Sequence, residues 1–343
     1  MGGVGLAGDD RHGLADLIDG IAADEGLSGV VRLDIDGRVA VQRAYGLAHR
    51  GLGIPTTVDT QFAIASGSKG LTALTVMSLV ETGELALNTT ARTVLGDDLA
   101  LIDGRVTVEH LLSHRSDIGD YLDEDEVADW NDYVMTVPVQ DLATTEQFLR
   151  VLDGHPMKYE PGERFAYSNG GYVVLALLAE RASGVPFHDL VDQRVCMPAG
   201  MTDTSFLRSD ELPGRAARGY LEDKGFAHER VPSPGPRQWR RRHLHHRSRR
   251  PRPVGCVVRW ADRVTETFAL MVQPRSEVPE ESMRYGLGMW LYDSTGAVSV
   301  HGFDAGVGFV SVRDPGRRFT YTVFSNKSRG AWPVSQRLGE LVN

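Results

Sequence analysis

Hydrophobic and polar positions repeat along this chain with two periods, and the changes of period mark its elements. Leu14, Leu17, Ile18 and Ile21 fall on one stripe, which predicts an amphipathic helix over 11–24. Strand-like runs follow at 30–35 and 39–45, joined through Asp36-Gly37, a strong hairpin signal. A helical pattern then covers 66–83, with Leu71, Leu74, Thr75, Met77, Ser78 and Val80 set for burial and Gly83 as its stop. Thr107 caps a short helix that has Glu109 in its first turn. The acidic and aromatic stretch 121–141 reads as a surface excursion. An apolar helix over 171–182 ends at Ser183-Gly184, and another spans 187–196. Near the C-terminus, 286–293, 297–301, 307–313 and 319–325 read as strands. Asp314-Pro315-Gly316 is a turn between the last two strands, and 332–342 a closing helix.

Strands at both ends with helices between them predict an α+β fold. One antiparallel sheet is built from both termini and flanked by helices, with a mostly helical region inserted. The expected division is a sheet domain from 1–70 and 265–343, and a mostly helical domain from 71–264.

Composition changes this picture little. A hydrophobic content of 41% and a charged content of 24% are ordinary for a globular protein. The net charge of −9 gives no reason to expect nucleic-acid binding, and the apolar runs fall short of a membrane span. The first residues carry neither a basic region nor a sustained apolar core, so the expectation is a cytoplasmic protein without a signal peptide. Cys196 and Cys256 do not make a disulfide framework. The basic residues matter more. Only four are lysines, namely Lys69, Lys158, Lys224 and Lys327, among 37 lysines and arginines in all. Lysine is the one of the two that proteins deprotonate.

Lys69 sits in Ser66-x-x-Lys69 at the start of the 66–83 helix. Spacing of i and i+3 puts both side chains on one helical face. A serine hydroxyl is a weak nucleophile that needs a base beside it, and a desolvated lysine can serve. Taken alone, the same letters fit an N-cap serine with a surface lysine. Ser68 is an alternative nucleophile, but it adjoins Lys69 and faces elsewhere. Two later groups fall in order behind this pair: Tyr167-Ser168-Asn169, and His301-Gly302 at a strand end. Tyr167 by itself is also readable as a core tyrosine.

With these three groups the chain resembles the serine β-lactamase and penicillin-binding-protein superfamily. It is most similar to the branch with a Tyr-x-Asn second motif: class C β-lactamases, family VIII carboxylesterases and DD-peptidases. The resemblance runs over nearly the whole chain. It includes Leu111-Leu112-x-His114-x-Ser116, Pro161-Gly162-Glu163, Gly171-Tyr172 and Pro198-x-Gly200-Met201-x-x-Thr204. It implies that Ser66 attacks a carbonyl and forms an acyl-enzyme, with Lys69 and Tyr167 sharing the proton work. Asn169 would orient Lys69 and the substrate. The backbone N–H of Ser66 would form half of an oxyanion hole, and a strand N–H after His301, assigned to Asp304, the other half. His301 would contact a substrate carboxylate, although Phe303 stands where a glycine is expected. His110 and His114 fall in a segment read as structural. No cofactor or metal is implied; zinc at His243, His245 and His246 lacks a completing cysteine or acid. A Gly-x-Ser-x-Gly elbow is missing, which argues against an α/β-hydrolase, and no class A deacylation motif is visible.

The implied function is a serine hydrolase acting on small esters, amides or β-lactams. The alternative is a D-alanyl-D-alanine carboxypeptidase or β-lactamase acting on cell-wall peptides or antibiotics. A further alternative is an inactive homologue with an impaired fold, or a binder using a basic loop.

That loop is anomalous. No Asp or Glu occurs over 231–261, and 237–252 holds eight arginines and three histidines. A nucleic-acid patch and a solvated loop are both open readings. A third is that 233–263 is out of frame. Codons for 237–250, read one base later, can give Gly-Ser-Gly-Asp-Gly-Gly-Ile-Tyr-Thr-Thr-Ala-Ala-Asp. That string resembles the Gly-Gly-x-x-Ser/Thr-x-x-Asp segment carried at this place in the family.

Overall fold

The computed structural model describes residues 11–123, 135–138, 141–207, 212–221, 243–247, 265–293 and 295–342. Most of the 121–141 excursion and of the anomalous segment lies outside them.

The hydrophobic stripes of the two terminal segments become helices Arg11–Asp24 and Trp332–Val342. Between them the chain forms strands β1 (Gly29–Ile35), β2 (Arg38–Tyr45), β3 (Leu47–His49), β4 (Ile54–Pro55), β5 (Phe62–Ala63), β6 (Asp203–Leu207) and β7 (His243–Arg247). The C-terminal part adds β8 (Ser276–Val278), β9 (Met283–Tyr285), β10 (Trp290–Tyr292), β11 (Val298–Asp304), β12 (Val307–Asp314) and β13 (Phe319–Ser325). The main sheet has the order β2-β1-β13-β12-β11-β10-β9-β8 and is antiparallel throughout. Strands from the two ends of the chain meet where β1 pairs with β13. The fold is therefore α+β, with one antiparallel sheet made from both termini.

Hydrophobic alternation in these strands serves two layers. Val31, Leu33, Val310, Val312 and Val323 meet Ile18, Ile21, Val334 and Leu338 of the terminal helices. Val30, Val298, Val300, Phe309 and Phe324 face the other way, into a core with the central helices. Asp36 and Gly37 both have positive φ, 50° and 72°, as the β1–β2 hairpin requires.

One strand expectation is corrected. The run 286–293 is not a single strand: β9 and β10 flank a reversal in which the Gly286 N–H donates to the Met289 carbonyl at 2.9 Å. Leu287 and Met289 made the run look like a strand, and both are buried at the turn. Gly288 has φ +81°, and a Cβ there would lie 2.2 Å from that of Ala73.

Two helices carry the core beneath the sheet, Ser68–Thr82 and Asn169–Ser183. The first is apolar on nearly every side, as a helix enclosed by protein must be. Its buried hydroxyls are satisfied backwards along the helix: Thr75 Oγ1 donates to the Leu71 carbonyl at 2.8 Å and Ser78 Oγ to the Thr75 carbonyl at 2.7 Å. The second helix is capped by Ser168, whose Oγ accepts from the Gly171 N–H at 2.9 Å. The expected 187–196 helix is α-helical over Phe187–Val191 and widens to a π turn over Asp192–Cys196.

A smaller sheet has the order β5-β7-β6, so the backbone of 243–247 pairs directly with the strand that leads into Ser66.

Candidate active site

Ser66 occupies a tight turn between β5 and the Ser68–Thr82 helix. Ala65 has φ +42°, a conformation that non-glycine residues seldom take, and the Gly67 N–H donates to the Ile64 carbonyl at 2.8 Å. The turn is a short 3-10 segment, Ala65–Gly67, and the α-helix begins only at Ser68. Two glycines let the sheet press onto it. A Cβ on Gly67 would meet the Phe309 ring at 2.5 Å. A Cβ on Gly302 would lie 1.8 Å from the Ile64 carbonyl oxygen and 2.9 Å from the Gly67 nitrogen. Strand β11 thus runs against the Ser66 turn with backbone touching backbone.

Lys69 lies one turn further along and is 7% exposed. Its Nζ donates to Ser66 Oγ at 3.0 Å and to Asn169 Oδ1 at 2.9 Å. The same ammonium sits 4.8 Å from the centre of the Tyr167 ring and 5.7 Å from that of Tyr172. The structure therefore brings Ser66, Lys69, Tyr167 and Asn169 together from segments 100 residues apart.

The Tyr167–Asn169 segment is held by a loop that precedes it by about 50 positions. His114 accepts the Ser168 N–H through Nδ1 at 3.0 Å, and its carbonyl accepts the Ala166 N–H at 2.8 Å. Asp120 accepts from Ser168 Oγ at 3.0 Å and from the Gly170 N–H at 2.9 Å, and its other oxygen from the Leu122 N–H at 3.1 Å. Burial raises the Asp120 pKa, while these hydrogen bonds and the helix N-terminus favour its anion. Burial, and next the charge of Lys69, hold the His114 pKa well below its ordinary 6.5. Sequence reasoning passed over Asp120, because its partners are one turn of a helix 50 residues away and no local pattern marks it.

In the third group, His301 shares a 2.8 Å hydrogen bond with Ser299 Oγ and stacks on Trp290 at 5.9 Å. Burial pushes its pKa down to about 4. Gly302 fills the position against the Ser66 turn, so the glycine expected at Phe303 is supplied one place earlier. The Asp304 assignment needs correction for the same reason. Asp304 and Val307 close a two-residue hairpin loop, which directs the Asp304 N–H at β12. Alternate residues point the other way: the Ala297 carbonyl accepts from Tyr292, and Ser299 pairs with Trp290. By the same alternation the N–H groups of His301 and Phe303 lie on the β10 side of β11. The Asp304 side chain accepts from its neighbour Ala305 N–H at 2.8 Å.

Among the described residues no group of three His, Cys, Asp or Glu is arranged to hold a metal ion, and no helix is long and apolar enough to cross a membrane.

Comparison with known proteins agrees with this fold. The sequence profile described as Beta-lactamase matches residues 14–340. Esterase EstB of Burkholderia gladioli is 36% identical over 190 residues, which cover 54% of this chain and 47% of the esterase. Penicillin-binding protein 4* of Bacillus subtilis (strain 168) is 30% identical over 217 residues, 62% of this chain and 46% of that protein. These matched stretches span about half the length of the two relatives. A crystal structure of a penicillin binding protein from Bacillus halodurans superposes with a TM-score of 0.84 at 30% identity, covering 94% of this chain and 99% of the other.

Proposed function

The chain belongs to the beta-lactamase family, and from that premise we propose that it is a serine hydrolase that turns over small esters or amides through an acyl-enzyme on Ser66. The observation that carries the reading is the buried Lys69 ammonium at 3.0 Å from Ser66 Oγ and 2.9 Å from Asn169 Oδ1.

In the proposed cycle Lys69 enters as the neutral amine, its proton having passed to solvent water; Ser66 Oγ then bonds to the substrate carbonyl carbon as the hydroxyl proton passes to the Lys69–Tyr167 pair. The same pair returns the proton to the leaving alcohol or amine as the carbonyl–heteroatom bond breaks. Water then attacks the acyl group, the pair accepts its proton, and Ser66 is released as the alcohol. Asn169 holds Lys69 in place. The Ser66 N–H and an N–H of β11 beside Gly302 receive the oxyanion, each donor of this kind being worth about 2.7–4 kcal/mol.

The third group favours uncharged substrates. His301, neutral above about pH 4, offers no fixed cation for the carboxylate of a β-lactam or a D-alanyl peptide. Penicillin-binding relatives keep a second reading in view, a D-alanyl-D-alanine carboxypeptidase or β-lactamase. An inactive homologue is the third. The division into a sheet part (1–70, 265–343) and a mostly helical part (71–264) belongs to the same proposal.

Intact mass spectrometry after incubation with a fluorophosphonate or p-nitrophenyl butyrate tests it. The expected result is one adduct per chain, lost in Ser66→Ala, with p-nitrophenyl butyrate turned over faster than nitrocefin. Faster nitrocefin turnover would move the assignment to the second reading. No adduct with either reagent or with a labelled β-lactam would leave the third.

A further inference from the structure

We infer that His114 is a positioning residue of this site, which sets the Tyr167–Asn169 segment through the acceptor on its Nδ1. The inference rests on the reading of Ser66, Lys69 and Tyr167 as the reacting groups.

His114 is 1% exposed and stands at φ +54°, a backbone conformation that asparagine, aspartate and histidine enter more readily than other side chains. Two of its own atoms reach the segment that carries Tyr167. The carbonyl takes the Ala166 N–H and Nδ1 takes the Ser168 N–H, so the residues on both sides of Tyr167 are tied to one residue. The imidazole also lies against the tyrosine ring, centroid to centroid 4.3 Å with 32° between the planes. Tyr172 and Tyr285 enclose it on other sides at 4.9 Å each.

The chemistry of the ring follows from this packing. Nδ1 accepts, so in the neutral imidazole the proton belongs on Nε2. Nε2 is buried and has no hydrogen-bond partner. A buried donor left without a partner is a cost, and a satisfied apolar side chain would avoid it. Packing alone therefore does not account for histidine here. What histidine supplies is an acceptor at the Ser168 N–H from within an aromatic cage. A proton on Nδ1 would turn that acceptor into a donor facing the Ser168 N–H, and the Lys69 charge nearby opposes it. Ser168 is at once the cap of the Asn169–Ser183 helix and the link between Tyr167 and Asn169. Fixing its N–H fixes where both neighbours meet Lys69.

Two variants separate the acceptor from the packing. Asparagine at 114 keeps an acceptor close to the position of Nδ1, whereas glycine removes it. Both residues tolerate positive φ, and neither keeps the ring. The measurement is the single-turnover acylation rate with p-nitrophenyl butyrate per titrated Ser66, with substrate affinity read from its concentration dependence. Titration counts only folded, reactive protein, so lost stability does not mimic the effect. For His114→Gly the rate falls about 10²-fold with affinity little changed, the scale of a misplacement of about 1 Å. For His114→Asn it stays within about tenfold of wild type. A glycine variant that acylates at the wild-type rate, or an asparagine variant that falls as far as glycine, overturns the inference. Should glycine fail to fold, His114→Ala, which also lacks the acceptor, takes its place in the comparison with asparagine. Wild-type protein that forms no acyl-Ser66 overturns the catalytic reading itself, and the inference with it.

Discussion

Replacing Gly302 by alanine adds one methyl group where β11 crosses the Ser66 turn, and the structure sets the size of the effect. The new Cβ would fall 1.8 Å from the Ile64 carbonyl oxygen and 2.9 Å from the Gly67 nitrogen. Ordinary carbon–oxygen contacts begin near 3.3 Å, so strand and turn must part by about 1.5 Å. Both partners are backbone, so no side chain can swing aside. The turn cannot shift freely either, because Gly67 is seated against the Phe309 ring and Lys69 is tied to Asn169. The displacement therefore falls on the distance between Ser66 and the β11 N–H proposed to receive the oxyanion. A misplacement of about 1 Å is enough for about a 10²-fold loss, and the weakening of one oxyanion donor alone accounts for 10²–10³. Gly302→Ala is thus expected to lower kcat with p-nitrophenyl butyrate by about 10²-fold or more. Gly29→Ala is the control. Its Cβ would lie 1.8 Å from the Phe324 carbonyl oxygen, an equal clash placed at the β1–β13 pairing. That variant should lose thermal stability yet keep its activity per titrated site. Wild-type kcat in Gly302→Ala, or the same specific loss in Gly29→Ala, would refute the reasoning.

Lys69→Met should slow acylation by about 10²–10⁴-fold in stopped-flow measurements while leaving Ser66 in place, since it removes the proposed proton acceptor and the donor to Asn169 Oδ1; an unchanged rate would assign the base elsewhere. Stability should fall in acid through two histidines. Burial holds His301 at about 4 rather than 6.5, so the unfolded chain binds a proton in this window that the folded chain refuses. The stability tied to His301 is complete above about pH 6.5 and is lost as pH drops towards 4, by at most about 3 kcal/mol. His114 acts in the same direction. Denaturant titrations from pH 7 to 4 should show this slope, reduced in His301→Gln; an undiminished slope would locate the effect elsewhere.

Much of this architecture was legible because its signals are local. The β1–β2 hairpin was marked by Asp36-Gly37, whose positive φ values the turn demands. The Ser68–Thr82 and Asn169–Ser183 helices were marked by apolar runs and by Gly83 and Gly184, both left-handed in the structure. Order along the chain was enough to connect Ser66, Lys69, Tyr167 and Asn169. What escaped was set by contacts across the fold. The Gly286–Met289 reversal buries Leu287 and Met289 beneath the central helices, so its apolar letters imitate a strand. In the third group, letter matching aligned Phe303 with a glycine. Register with β12 and the close approach to Ile64 show that Gly302 fills that place. Asp120 could not be found by pattern, since a carboxylate capping a helix 50 residues away leaves no periodic trace.

The anomalous segment leads to the last prediction. Strand β7, His243–Arg247, pairs by backbone with β5 next to the Ser66 turn and with β6 on its other side. Ladder hydrogen bonds come from the main chain and ask of the side chains only that none be proline. A strand can therefore persist here whatever frame encodes it. In the shifted reading the same five positions become Ile-Tyr-Thr-Thr-Ala, rich in β-branched and aromatic residues that suit strands. The chain carries His-Leu-His-His-Arg instead. If 233–263 is out of frame, pairing survives while the apolar side chains that should pack behind it are lost, at about 2–5 kcal/mol for each large one. Replacing 233–263 by the shifted-frame sequence should then raise the thermal midpoint by more than about 5 °C, which in a chain of this length corresponds to about 3–4 kcal/mol, the scale of one or two such side chains. Activity per titrated Ser66 should change little, because the turn, Lys69 and Asn169 lie outside the exchanged segment. A midpoint that stays level or falls, together with an uninterrupted reading frame on resequencing, would show that the basic segment belongs to the protein as written.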